Sequence, residues 1–203
     1  IGGFLFKVPE LPILNETARN LYFHVPMWFG MFIMLFLSVI GSLVFLNTLN
    51  LKLENIVSGL VASSLLYGIA GLTTGMLWGE YTWGSWWSGD IKQITSVITL
   101  LIYAAYFVLQ SSLPQAMSRA KVTAVYNLFA FAAMIPLLFI IPRIYDSLHP
   151  GSGGNPGLSP ADSSHFMKFV FYPAVLAWTL LGIWLAALYT RWKNLQQNFL
   201  LNE

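Results

Sequence analysis

Charged residues cut this chain into long apolar runs. Val25–Leu46, Ile56–Leu77, Ile94–Leu113, Val122–Pro142 and Phe169–Thr190 contain no Asp, Glu, Lys or Arg. Each reaches the roughly 20 residues that a helix needs to cross a bilayer core about 30 Å thick. A charge at mid-membrane costs about 3 kcal/mol on the insertion scale, so charge-free runs of this length are informative. The pattern predicts an all-α polytopic membrane protein. It forms a single membrane domain over residues 1–203 with five transmembrane helices. The first six residues, Ile1-Gly-Gly-Phe-Leu-Phe6, are also apolar. They read as the end of a further span, which would make six in the full protein.

Polar and small residues inside the runs add detail. Gly71-Leu-Thr-Thr-Gly75 is a GxxxG pattern that lets helices approach closely, and Gly41-Ser42 and Ala132-Ala133 are similar small pairs. Pro136 is expected to kink its helix. Asn127 is expected to hydrogen-bond to a neighbouring helix. No span carries an acid or a base, which disfavours a proton- or ion-coupled pump, since such relays need intramembrane ionisable groups.

Composition supports the same class. The chain is 57% hydrophobic and 9% charged, against about 25% charged in soluble domains. A net charge of +2 argues against a nucleic-acid partner. The absence of cysteine excludes disulfides, thiolate metal sites and thiol chemistry.

The connections fall into two groups, because each crossing switches sides. Residues 1–24, a tryptophan-rich loop 78–93 and a long loop 143–168 share one face. Residues 47–55 and 111–121 and the C-terminal tail share the other. Lys52, Arg119, Lys121, Arg191 and Lys193 crowd the shorter connections of the second face. The positive-inside bias is read on short loops, so this face is assigned to the cytoplasm and the tryptophan loop to the outside. In the N-terminal stretch Pro9 and Pro12 argue against regular helix, and Asn15-Glu-Thr-Ala-Arg19 reads as a short surface helix. His24, His149 and His165 then all lie on the outer face.

The tryptophan loop holds the candidate chemistry. Trp78, Tyr81, Trp83, Trp86 and Trp87 stand among Gly79, Gly84 and Gly89. Flat rings on a backbone that turns tightly suggest a platform for a large planar apolar ligand. The competing reading is an interfacial aromatic belt. Histidines beside aromatic planes suggest iron in a flat macrocycle, because haem iron is commonly held by imidazole. His24 lies two residues before Pro26 at a helix start, and His149 directly precedes Pro150, which restricts its backbone. Both are therefore better fixed than His165, which follows a Gly/Pro/Ser-rich run over 151–164 that reads as a flap or docking segment. Arg19, Lys92 and Arg143 are cations on the same face, suited to propionate carboxylates. Each residue also has a plainer role available. The histidines can be polar groups at helix ends or turns, Asp90 an N-cap for a helix entered at Ile91, and Arg19 and Lys92 snorkelling anchors.

Trp83-Gly-Ser-Trp-Trp-Ser-Gly-Asp90 resembles the "WWD" signature, WGxxWxWD, of the haem-handling proteins of cytochrome c biogenesis. Tyr22-Phe-His24-Val-Pro26 resembles that family's first outer histidine, and Ser147-Leu-His149-Pro-Gly151 its second. Order, sides and spacing agree over essentially the whole chain, and the size and two outer histidines are closest to the system I haem exporter branch. The resemblance implies non-covalent haem b on the periplasmic side of a bacterial inner membrane, with His24 and His149 as axial ligands. Trp78, Trp83, Gly84, Trp86, Trp87 and Asp90 would form the platform. It implies delivery of haem to a periplasmic haem chaperone or to apocytochrome c, together with an ABC-type ATPase complex. Gly89 departs from the signature, which has tryptophan there. Two alternatives stay open: a system II-type haem lyase that forms the thioether bonds itself, and a non-haem interaction or quinone-binding subunit.

Overall fold

The computed structural model describes residues 2–5, 15–149 and 165–201. Among these the chain is helical, and five helices are long and apolar enough to cross a membrane. We label them α1 (His24–Thr48), α2 (Lys52–Trp83), α3 (Ile91–Ser112), α4 (Ala116–Ile144) and α5 (His165–Leu201). A short turn of helix, Gly2–Leu5, and a 3-10 helix, Asn15–Tyr22, precede α1. The all-α polytopic class expected from the charge-free runs is what the chain adopts.

α1 packs along α2, α4 and α5, while α2 also touches α3 and α5, and α3 pairs with α4. The centre of the bundle is closed by Met31, Met34, Leu35, Val61, Tyr103, Tyr106 and Met134, all essentially inaccessible. Leu176, Leu180, Trp184 and Leu188 of α5 point outward, as suits a helix whose solvent is lipid. Asn127 makes the interhelical bonds expected of it, donating to the hydroxyls of Ser38 at 2.9 Å and Ser42 at 3.0 Å. Pro136 opens a π-helical turn, Pro136–Ile140, within α4. A proline lacks the N–H of the regular ladder, and a widened turn is one way to absorb that loss.

The helices outrun the charge-free runs, and this corrects two expected boundaries. The loop drawn over 78–93 contracts to 84–90, because α2 continues through Trp83 until Gly84 caps it with a positive φ of 74°. The loop drawn over 143–168 begins only after Ile144, and α5 starts at His165. Hydropathy marks where the membrane ends, whereas a helix ends where its backbone is capped. Residues 151–164, read as a flap or docking segment, lie outside the described residues, as do Pro9, Pro12 and the His165 side chain.

The two groups of connections gather at opposite ends of the bundle. At one end Arg119 bonds to the buried Glu54 carboxylate, and Asn55 donates to Asn194 and Gln197. At the other the 3-10 helix, the 84–90 loop and residues 145–149 converge, and the candidate site lies there.

Candidate functional site

Asp90 organises this end. Its backbone is extended ahead of α3, and Oδ1 accepts from the Lys92 N–H at 2.8 Å, the N-cap expected of it. The same carboxylate reaches across to the segment after α4. It accepts from the Leu148 N–H at 2.7 Å, the Ser147 hydroxyl at 2.9 Å and His149 Nδ1 at 2.9 Å. Its side chain is 1% exposed. Burial acts to raise the Asp90 carboxyl's pKa, but the Leu148 and Lys92 amides, His149 and Ser147 outweigh it and hold the group below its ordinary value. The ion is therefore an acceptor only, and His149 donates from Nδ1. Burial also holds the His149 imidazole below its ordinary value, against the pull of Asp90. The ring is neutral at pH 7, with the hydrogen on Nδ1 and the lone pair on Nε2. That is the tautomer a metal-binding imidazole with an outer carboxylate partner adopts.

His24 is held by a different kind of partner. It opens α1, and its Nδ1 lies 3.1 Å from the Thr74 hydroxyl of α2. The Thr74 hydroxyl also lies 2.9 Å from the Ala70 carbonyl and 3.0 Å from the Gly71 carbonyl. When it donates to one of these, its oxygen accepts from His24 Nδ1–H and Nε2 keeps its lone pair; when it donates to Nδ1, the hydrogen sits on Nε2. The GxxxG glycines seat side chains here. A Cβ at Gly75 would lie 2.6 Å from His24 Cε1, and one at Gly71 would lie 2.9 Å from the Trp28 indole. The motif brings α1 and α2 together by receiving aromatic rings from α1.

Trp78 and Trp83 border the two imidazoles. Trp78 meets His24 edge-on at 6.1 Å between ring centres, and Trp83 meets His149 at 4.7 Å. Trp78 is held by an indole N–H bond to Thr17 on the 3-10 helix at 3.1 Å. His24 and His149 are near enough to interact electrostatically. Trp86 and Trp87 are 47% and 45% exposed on the 84–90 loop. Sequence reasoning passed over Gln93, the residue that shapes that loop. Its buried amide donates to the Trp86 carbonyl and accepts from both the amide and the hydroxyl of Ser88. Nothing marks a glutamine in a first helical turn as a loop organiser.

The cations are placed unequally. Lys92 lies within electrostatic reach of Asp90 and Arg143, and Arg143 is exposed. Arg19 is engaged elsewhere, bonded to Glu16 and to the carbonyls of Gly3 and Phe4. An open hollow of about 300 Å³ lies between 88–91 and 145–148. Gly89 sits on its wall with φ of 71°, and a Cβ there would meet nothing within 4 Å. Backbone conformation, not lack of room, sets this position apart from the tryptophan of the signature.

Two imidazoles, each with Nδ1 beside a hydrogen-bond partner and each bordered by an indole ring, with Lys92 and Arg143 nearby, have the chemistry that suits an iron porphyrin. The chain is 25% identical over 196 residues to Heme exporter protein C of Rhodobacter capsulatus, covering 93% of this chain and 76% of that protein. It is 25% identical over 190 residues to Heme exporter protein C of Paracoccus denitrificans, covering 91% and 73%. A shorter match, 35% identical over 78 residues, covers 38% of this chain and 25% of the cytochrome c biogenesis protein CcsA of Prochlorococcus marinus. The sequence profile of one family matches residues 3–202, and the chain belongs to that family, Heme exporter protein C.

Proposed function

We propose that this protein handles haem for cytochrome c biogenesis in a bacterial inner membrane, which it crosses several times. It binds haem b non-covalently at the bundle end that faces the periplasm. His24 and His149 supply the axial nitrogens, Trp78, Trp83, Trp86 and Trp87 the aromatic surround, and Lys92 and Arg143 the propionate partners. It passes the haem to a periplasmic haem chaperone or apocytochrome c, in concert with an ABC-type ATPase complex. The observation that carries this reading is the pair of imidazoles whose Nδ1 atoms both lie at hydrogen-bond distance from a partner, Thr74 and Asp90. Each leaves Nε2 for iron, and each borders a tryptophan on the same helix end. The protein's part is binding, orientation and release, with Asp90 and Thr74 fixing the imidazole tautomers.

The test is the absorbance spectrum of the purified protein titrated with haem. Two axial imidazoles give a low-spin six-coordinate spectrum. His24→Ala and His149→Ala should each lose it and regain it with added imidazole. A wild-type protein that takes up no haem, or a His149→Ala variant with the wild-type spectrum, overturns the assignment.

A second reading, a system II-type haem lyase, rests on the resemblance of Trp83–Asp90 to the WWD signature. It is separated by mixing the haem-loaded protein with a peptide carrying Cys-X-X-Cys-His. Covalent attachment with no other assembly protein present supports the lyase.

A further inference from the structure

The two imidazoles differ in what stands behind them. His149 donates to the buried Asp90 carboxylate. Among the described residues His24 has a neutral hydrogen-bond partner, the Thr74 hydroxyl. A carboxylate behind an imidazole raises its basicity as a metal ligand, and charge-assisted hydrogen bonds are roughly twice as strong as neutral ones. Asp90 shares its charge with Lys92, Leu148 and Ser147, yet it remains the anion of the pair. Those same bonds hold residues 147–149 in place, so His149 does not swing away readily.

Resting on the haem reading above, we infer that His24 is the axial ligand that yields first when haem is handed on. Thr74 and Gly75 are the positioning residues that set how readily it yields. In that step the bond between iron and His24 Nε2 breaks, and its electron pair returns to the imidazole nitrogen. A donor atom of the receiving protein takes the vacated position, and the iron keeps its oxidation state. His24 stays in its seat on Gly75, because its place on α1 is independent of the iron. His149 keeps its hold until the incoming ligand is bound.

Carbon monoxide reports on this step. It binds ferrous haem only after one imidazole has left, so its rate at saturation measures the weaker ligand's departure. The full-length chain in detergent would be loaded with haem and reduced before mixing. Thr74→Val removes the hydroxyl behind His24, and Gly75→Ala crowds its ring, whose Cε1 would lie 2.6 Å from the new Cβ. Both should speed carbon monoxide binding about 10- to 100-fold, the range typical of outer-shell changes, and Thr74→Ser should restore the wild-type rate. Resonance Raman spectra supply a second readout. The iron–imidazole stretch should be higher in ferrous His24→Ala, which retains His149, than in His149→Ala.

Wild-type rates in both Thr74→Val and Gly75→Ala, or a stretch that is equal or reversed between the two histidine variants, overturn the inference. If wild-type protein lacks a bis-imidazole spectrum, the haem reading fails and takes the inference with it. If that spectrum is present and the rates or stretches go the wrong way, the inference fails alone.

Discussion

Replacing Asp90 by asparagine tests the central clamp. Oδ1 faces the Lys92 amide and His149 Nδ1, and Oδ2 faces the Leu148 amide. Whichever oxygen becomes the amide nitrogen, an N–H donor is left pointing at another donor. Losing one buried charge-assisted bond costs about 1.5–3 kcal/mol, while asparagine caps a helix about as well as aspartate, so the cap of α3 adds little. The upper part of that range corresponds to roughly a 100-fold change in an equilibrium constant. The loss falls on the docking of residues 147–149, since the spans hold together through contacts elsewhere. Hydrogen exchange measured on the haem-free protein reads this directly. The Leu148 amide should lose about two decades of protection, while amides at the centre of α2 keep theirs. Haem affinity should fall by the same factor, with added imidazole restoring a six-coordinate spectrum. Unchanged Leu148 protection together with unchanged haem affinity would show that Asp90 does not hold His149, and the argument built on it would be abandoned.

Other expectations follow from the same geometry. Trp86→Ala and Trp87→Ala should each weaken haem binding by about 0.5–1.5 kcal/mol, and Trp83→Ala by more, because its ring supports His149. If replacing all three leaves haem content unchanged in titration, the rings are an interfacial belt. Asn127→Leu should lower the thermal midpoint while leaving haem uptake intact. Its two bonds to Ser38 and Ser42 are worth about 0.6 kcal/mol each by the average for intramembrane side chains, and a variant as stable as wild type shows that the serines find other partners. Single cysteines placed in this cysteine-free chain read its orientation. An impermeant reagent should label position 85 from the periplasm and spare position 52, and the reverse pattern inverts the topology.

The spans were legible because a bilayer forbids charge over a fixed thickness, and five runs obeyed that rule. The ends of the helices were not, since Trp78–Trp83 remain helical beyond the apolar run and only Gly84 stops them. Asp90 as a cap was legible from its place before Ile91. Its grip on Ser147, Leu148 and His149 was not, because no local pattern announces a partner on another connection. Gly71 and Gly75 were legible as a close approach of helices. That they receive Trp28 and His24 depends on how α1 lies against α2. Arg19 was legible as a cation but not as the residue that ties the 3-10 helix to the carbonyls of Gly3 and Phe4.

Three of the contacts that build the site join distant parts of the chain. His24 meets Thr74 across 50 positions, Asp90 meets His149 across 59, and Trp78 meets Thr17 across 61. A ribosome making this protein delivers His24 at the threshold of α1 and His149 only after α4. Until α4 is in the membrane, the growing chain carries one of the two imidazoles of the proposed site. Premature termination or failed insertion of α4 therefore yields a product without the second imidazole, and under the proposed function the capacity to hold a reactive pigment arrives in a single late step of synthesis.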